Sequence, residues 1–289
     1  MFGLFNINKP GGVTSRDVVN HVQRLVRPAK AGHAGTLDPL ARGVLVVAVG
    51  GATRLVQYVQ RMPKRYTATF LLGRESNTED VQGEVVLLSD PPRPARQQIE
   101  EALPKFIGQI QQRPPAFSAL KVHGIRAYKL ARRGEVVELS GRSVMIHGIR
   151  LLEYDYPELM LEVSCGSGTY IRSLGRDLAA ALGTSAVMSA LVRTAIGGFR
   201  MEEAIKPEQL TARSIESHLL PAIRAVESLP RMELTEEEAH RIAHGRTIEK
   251  RPDMGGEEIV ALDDHGRLVA ILTPRGKDEL GPVRNFSGA

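Results

Sequence analysis

Two loops carry residue types that could do covalent chemistry. The run Gly32-His33-Ala34-Gly35-Thr36-Leu37-Asp38-Pro39-Leu40-Ala41-Arg42-Gly43 sets one carboxylate, Asp38, between glycines and a proline, just ahead of an apolar stretch. The run Ser164-Cys165-Gly166-Ser167-Gly168-Thr169-Tyr170-Ile171-Arg172 turns into a predicted helix whose first turn holds Arg172. A carboxylate fixed in a loop beside a guanidinium suits nucleophilic catalysis, because the arginine keeps the acid ionised and aims it. The alternative is a plain turn aspartate and a surface arginine, and spacing alone favours it. Other chemistries find little support. The sequence has no phosphate-cradling G-x-x-x-x-G-K-[ST] loop, no dinucleotide-binding G-x-G-x-x-G after a strand and no G-x-S-x-G elbow. His240 and His244 are four apart but lack an H-E-x-x-H frame and a third ligand, so they read as one face of a surface helix. Cys165 lies in a strand pattern and reads as a buried, inert thiol. No metal and no cofactor is expected.

The elements that must position these loops follow from local signals. Thr14 is a good N-cap for a helix over 15–27, with Asp17 near its positive end. Residues 44–49 are continuously apolar and predict a strand buried on both faces. Tyr66, Ala68 and Phe70 alternate with Thr67, Thr69 and Leu71, a strand periodicity, and 83–88 is expected to pair with that strand as a hairpin. Helices are expected over 53–61, 99–107, 171–182, 214–226 and 235–244, and strands over 144–152, 159–165 and 189–196. Residues 112–142 read as a long insertion with a short helix near 128–132. After Leu229-Pro230 the texture shifts to a small β-rich module. Helices and strands interleave irregularly, so the fold class is α+β rather than a regular parallel βαβ sheet.

Composition narrows the partners. The chain has 289 residues, 42% hydrophobic and 25% charged, with one cysteine, which excludes an internal disulfide framework. Lys and Arg number 38 against 33 Asp and Glu. From Arg231 onward the count is 9 basic to 12 acidic, which leaves 29 to 21 in residues 1–230. A basic main body suits a polyanion such as RNA, although solubility explains a net charge equally well. The longest apolar run is too short to span a bilayer, and the N-terminus has no secretory pattern, so no membrane partner and a cytoplasmic location are expected. No coiled-coil pattern occurs, so a monomer is expected.

The sequence resembles the TruB family of tRNA pseudouridine synthases. The resemblance runs through NKPGGVTS at 8–15, GHAGTLDPLARG at 32–43, KRYTATFLLG at 64–73 and RPPAFSALKVHGIRAYKLARRG at 113–134. It continues through GSGTYIRSLGRDL at 166–178 and LVRTAIGGF at 191–199. Six motifs in the family's order are far more specific than any one alone. The resemblance implies a pseudouridine synthase fold with a mixed, largely antiparallel sheet. It implies a catalytic domain over 1–229 and a C-terminal PUA-like RNA-binding domain over 230–289. Asp38 matches the family's catalytic aspartate, Arg172 its arginine partner, and Tyr66 a tyrosine that stacks on the target base and is a candidate proton acceptor. Leu191 matches a residue lining the uracil pocket, Lys9 and Pro10 a segment beside it, and His33 a histidine inserted into the RNA loop. Residues 113–134, with Lys121 and Arg132, match an arm that grips the T-loop. In ESNTEDVQG at 75–83, Asp80 and Gly83 follow the family pattern while Ser76 and Asn77 depart from it.

The implied activity is isomerisation of uridine 55 in the T-arm stem–loop of tRNA, after the base is flipped from its stack. The carboxylate could attack C1′, attack C6 or assist formation of a glycal. Two other readings stand beside it. One is a catalytic subunit directed by guide RNA, which the short N-terminus and lack of basic tails disfavour. The other is a non-catalytic protein that helps tRNA fold.

Overall fold

The computed structural model of the chain describes residues 1–287 apart from 119, 123, 136, 138 and 253. The first half runs β1 (Gly3–Lys9), α1 (Ser15–Val26), β2 (Ala31–His33), β3 (Arg42–Val49), α2 (Val56–Arg61), β4 (Lys64–Leu72), β5 (Arg74–Ser76), β6 (Val85–Leu87), α3 (Arg96–Ala102) and β7 (Gly108–Gln112). The insertion carries β8 (Lys121–Val122), β9 (Ile125–Arg126) and α4 (Ala127–Ala131). Then come β10 (Arg142–Asp155), β11 (Glu158–Cys165), α5 (Ile171–Ala181), β12 (Ala186–Ile196) and β13 (Phe199–Arg200). The tail holds β14 (Arg231–Glu233), α6 (Glu236–Ala243), β15 (Ile248–Glu249), β16 (Ile259–Leu262), β17 (Leu268–Arg275) and β18 (Glu279–Asn285).

Among the described residues, nine strands form one sheet along the path β1-β3-β12-β4-β11-β10-β7, with β2 on β3 and β13 on β12. Every pairing is antiparallel except β3 with β12. The fold is therefore α+β with a mixed, largely antiparallel sheet, as expected. The tail forms a second sheet, β14-β16-β17-β18-β15, with α6 beside it.

Local signals account for the main helices. Thr14 caps α1 in a reciprocal box with Asp17, and the buried Val18, Val19, Val22 and Val26 form the face set on the sheet. The alternation along β4 puts Tyr66, Ala68, Phe70 and Leu72 inward. On the other side of that core, Leu174 and Leu178 bring α5 against the strand.

Three local expectations differ. The stretch 53–61 is α-helical only from Val56; Gly50–Leu55 is a tighter 3-10 turn. Residues 85–87 pair with Arg74–Ser76 and not with β4. Both edges of β4 are already occupied, by β11 and β12, so no edge is free for a hairpin partner. The helix expected over 214–226 is absent: two short 3-10 turns, Glu216–His218 and Ala222–Ala225, stand in its place. Pro221 supplies no N–H and disfavours a helical Leu220. Leu220 instead exchanges backbone hydrogen bonds with Leu4 at 2.9 and 2.8 Å.

Candidate active site

The loop bearing Asp38 lies between β2 and β3 and is pinned from two sides. The Ser15 hydroxyl accepts from the Leu37 amide at 2.8 Å and donates to the Leu37 carbonyl at 3.1 Å. The fully buried Lys9 ammonium donates to Pro10 O at 2.9 Å, Val13 O at 2.7 Å and Pro39 O at 3.3 Å. From below, the buried Arg193 donates through Nε to Val44 O at 2.7 Å and through Nη2 to Gly35 O at 3.1 Å. Sheet register sets this arrangement. Arg193 on β12 is the cross-strand partner of Tyr66 on one side and of Gly43 on the other. Gly43 sits at φ +99°, and a Cβ there would lie 2.2 Å from Arg193 O, so only glycine permits the approach.

Arg172 enters from the first turn of α5. Gln112 holds the start of that helix, accepting from Tyr170 N–H at 2.8 Å and donating to Tyr170 O at 3.0 Å. The Arg172 guanidinium is 5% exposed and all three of its nitrogens are engaged. Nε reaches Asp38 Oδ2 at 3.0 Å, Nη1 donates to Thr78 O at 2.7 Å, and Nη2 donates to Phe117 O at 3.1 Å. A second carboxylate, the buried Asp80, stands 3.8 Å from Nε. Asp80 is itself fixed by the Thr78 hydroxyl at 2.6 Å and the Gln82 amide at 3.0 Å. One planar fork thus ties the catalytic-type carboxylate to the 78–80 loop and to the root of the insertion. The reading of Arg172 as a surface residue does not survive this burial.

The Asp38–Arg172 pair stands where two cavities meet. The inner one, of about 510 Å³, is lined by Tyr66, Leu191, Lys64, Arg142 and Tyr170 among others. The outer one, of about 670 Å³, is lined by His33, Arg16, Tyr128 and Arg132 among others. Asp38 and Arg172 line both. Asp38, Tyr66, Arg172, Leu191, His33 and Arg132 are therefore brought together. Lys9 and Pro10 lie outside both linings, with the Lys9 ammonium turned inward onto backbone carbonyls. Lys121 is exposed on β8, away from both.

Burial sets the electrostatics. It pushes the Tyr66 phenol above its ordinary value, only partly opposed by the neighbouring Arg193. It depresses His33, with Arg193 and Arg16 adding to the effect, so the imidazole is neutral at pH 7. It lowers Lys9 and Lys64 to about 8. Cys165 is buried and pushed up to about 11, as an inert thiol would be. His240 and His244 pack ring on ring at 4.4 Å, and the described residues hold no cluster of three or more His, Cys, Asp or Glu that could bind a metal. No helix among them is long and apolar enough to cross a membrane.

Several positioning residues escape a reading of the sequence. Arg193 left a trace: it follows Leu191 by two, which puts both on one face of a strand. Asp80 was visible as a motif residue, but nothing local ties it to Arg172. Ser15 was visible as the last residue of the 8–15 motif, but nothing local ties it to Leu37, and Gln112 carries no local signal.

Comparison with known proteins gives a consistent picture. Residues 23–171 match the model described as TruB family pseudouridylate synthase (N terminal domain), and residues 229–287 match tRNA Pseudouridine synthase II, C terminal. The tRNA pseudouridine synthase B of Caulobacter vibrioides (strain ATCC 19089 / CIP 103742 / CB 15) is 41% identical, over 98% of this chain and 96% of that protein. The protein of the same name from Rhodopirellula baltica (strain DSM 10527 / NCIMB 13988 / SH1) is 39% identical, over 95% of this chain and 92% of that protein. Among solved structures, a chain from the "Crystal Structure of a Cbf5-Nop10-Gar1 Complex" superposes with a TM-score of 0.76 at 26% identity, covering 99% of this chain and 84% of that one.

Proposed function

Because the chain belongs to the TruB family of pseudouridylate synthases, we propose that it isomerises uridine to pseudouridine at position 55 in the T-loop of tRNA. The net change breaks N1–C1′, rotates the uracil and joins C5 to C1′, with the proton of C5 lost and one gained at N1. The observation that carries the reading is the 3.0 Å Asp38–Arg172 contact at the junction of two cavities. The inner cavity suits the flipped base, with the Tyr66 ring as a stacking surface and Leu191 as an apolar wall. Burial keeps the Tyr66 phenol protonated, which favours the ring over a phenolate base. Asp38 supplies the carboxylate at the glycosidic bond, and Arg172 fixes its direction. Lys9 serves from behind by holding the Asp38 loop through Pro39 O, and Pro10 O helps to anchor the Lys9 ammonium.

The outer cavity suits the nucleotides around the target. A neutral His33 can fill the gap left by the flipped base, and Arg132, 5.5 Å over the Tyr128 ring, adds a cation beside an aromatic platform. Lys121 extends the same arm. Residues 1–229 form the proposed catalytic domain and 230–289 a PUA-like RNA-binding domain. The proposed setting is the cytoplasm, with a monomer as the active form; a single buried thiol suits a reducing compartment.

The test is an unmodified T-arm stem–loop incubated with the protein and no added cofactor, read by pseudouridine-specific chemical labelling. Asp38→Asn should lower turnover by roughly 10³-fold or more while leaving affinity for the RNA nearly unchanged. Unchanged turnover would remove Asp38 from the centre.

A further inference from the structure

Five buried side-chain polar atoms have no hydrogen-bond partner among the described residues, and three of them belong to residues lining the two cavities: His33 Nδ1, Arg142 Nε and Ser118 Oγ. An unpaired polar atom closed off from solvent is costly, and its persistence at a binding site points to a ligand that completes it. Ser118 is the most confined of the three at 3% exposure, and it lines both cavities.

Six residues line both cavities: Thr36, Leu37, Asp38, Phe117, Ser118 and Arg172. With the base in the inner cavity and its neighbours in the outer one, this boundary is where the ribose of the target must lie. Whichever route the carboxylate takes, Asp38 has to meet the edge formed by C6, N1, C1′ and C2′. The 2′-hydroxyl is one bond from that edge. Leu37 and Phe117 offer no side-chain partner for it. Each Arg172 nitrogen is already directed at a protein acceptor, Asp38, Thr78 O or Phe117 O, and Thr36 is exposed rather than closed off. Ser118 remains. Its hydroxyl can donate and accept, as the 2′-hydroxyl can, and it turns about a single bond. Its backbone is fixed independently: Ser118 O accepts from Tyr128 N–H at 3.1 Å, and the preceding Phe117 O accepts from Arg172.

We propose that Ser118 binds the ribose 2′-hydroxyl of the target nucleotide, which makes the site selective for a ribonucleotide at that position. The inference rests on the uridine-isomerising reading above and adds a specificity residue to it.

The experiment compares the native protein, Ser118→Ala and Ser118→Thr on two T-arm stem–loops, one all-ribose and one with a single 2′-deoxyuridine at the target. Single-turnover rates give the half-saturation concentration and maximal rate for the ribose form. Competition gives the inhibition constant of the deoxy form. Ser118→Ala should raise half-saturation for the ribose RNA about five- to tenfold, the worth of one hydrogen bond, with the maximal rate nearly kept. The deoxy RNA should bind the native and Ser118→Ala proteins equally, and Ser118→Thr should restore ribose binding. The melting temperature of Ser118→Ala should not fall, since the removed hydroxyl bonds to none of the described residues. Equal weakening of both RNAs, no weakening of either, or a lowered melting temperature would each overturn the role of Ser118. Absence of pseudouridine with the native protein would instead overturn the uridine reading itself.

Discussion

At the scale of single residues, the site rests on buried cations, Lys9, Lys64, Arg172 and Arg193, beneath a partly exposed Asp38. Arg172 is compensated by two carboxylates and two carbonyls, which is the condition for keeping a buried guanidinium. Among the described residues Lys9 and Lys64 have carbonyl partners only, and burial lowers both to about 8. An unfolded lysine titrates near 10.5, so between about 8 and 10.5 the unfolded chain binds more protons than the native one. Stability should therefore rise as pH climbs from about 8, and the cost of burying the charges is fully present below that. Cys165, pushed up to about 11, and Tyr58, pushed up to about 12, act in the opposite sense above pH 9 or so. The clean window is thus roughly pH 8 to 9. Urea denaturation across it should show rising stability in the native protein and about half that slope in Lys64→Met.

At the scale of elements, the approach of α5 to β4 decides where Arg172 points. Gly175, one turn after Arg172, faces Phe70, and a Cβ there would lie 2.1 to 2.8 Å from three atoms of the ring. Phe70 is fully buried and has no space to yield. Two effects oppose each other in Gly175→Ala. Helix propensity favours alanine by about 1 kcal/mol. Overpacking costs about 1–3 kcal/mol and displaces the helix. The contact is severe enough that overpacking should win. The variant is expected to melt lower and to lose turnover, because the Arg172 fork moves off Asp38. Gly175→Ala combined with Phe70→Leu should recover much of both, measured by thermal denaturation and by the labelling assay.

At the scale of the whole molecule, the two sheets share one apolar cluster. Leu4, Val44, Val46 and Leu55 pack with Val260, Leu262, Ile271 and Phe286. Phe286 meets Phe2 at 5.4 Å between ring centroids, and the Arg54 guanidinium lies 4.6 Å above its ring. The Tyr58 hydroxyl on α2 donates to Glu258 at 2.8 Å. The same short helix supplies Gln57, Gln60 and Arg61 to the inner cavity, so the tail buttresses a wall of the site. Calorimetry of the native protein should show one cooperative transition. Phe286→Ala should cost about 3–5 kcal/mol and split it in two, with the tail melting first.

Much of the site was written locally. The threonine caps at Thr14 and Thr235, the alternation through Tyr66 and Phe70, and the loop motifs around Asp38 and Arg172 depend on neighbours a few residues away, and short-range sterics and hydrogen bonding suffice to set them. The partners of those motifs depend on segments far apart in the chain. Arg193 meets Val44 across 149 positions, and Arg172 meets Asp38 across 134. Leu220 gives up a helix to bond Leu4, and Val85–Leu87 takes β5 because β4 has no open edge. Lys9, whose type suggests a surface cation, is turned inward by carbonyls that only the folded loops bring together. Residue type and order determined which groups could act; strand pairing and burial decided which of them face the cavity and which hold it in shape.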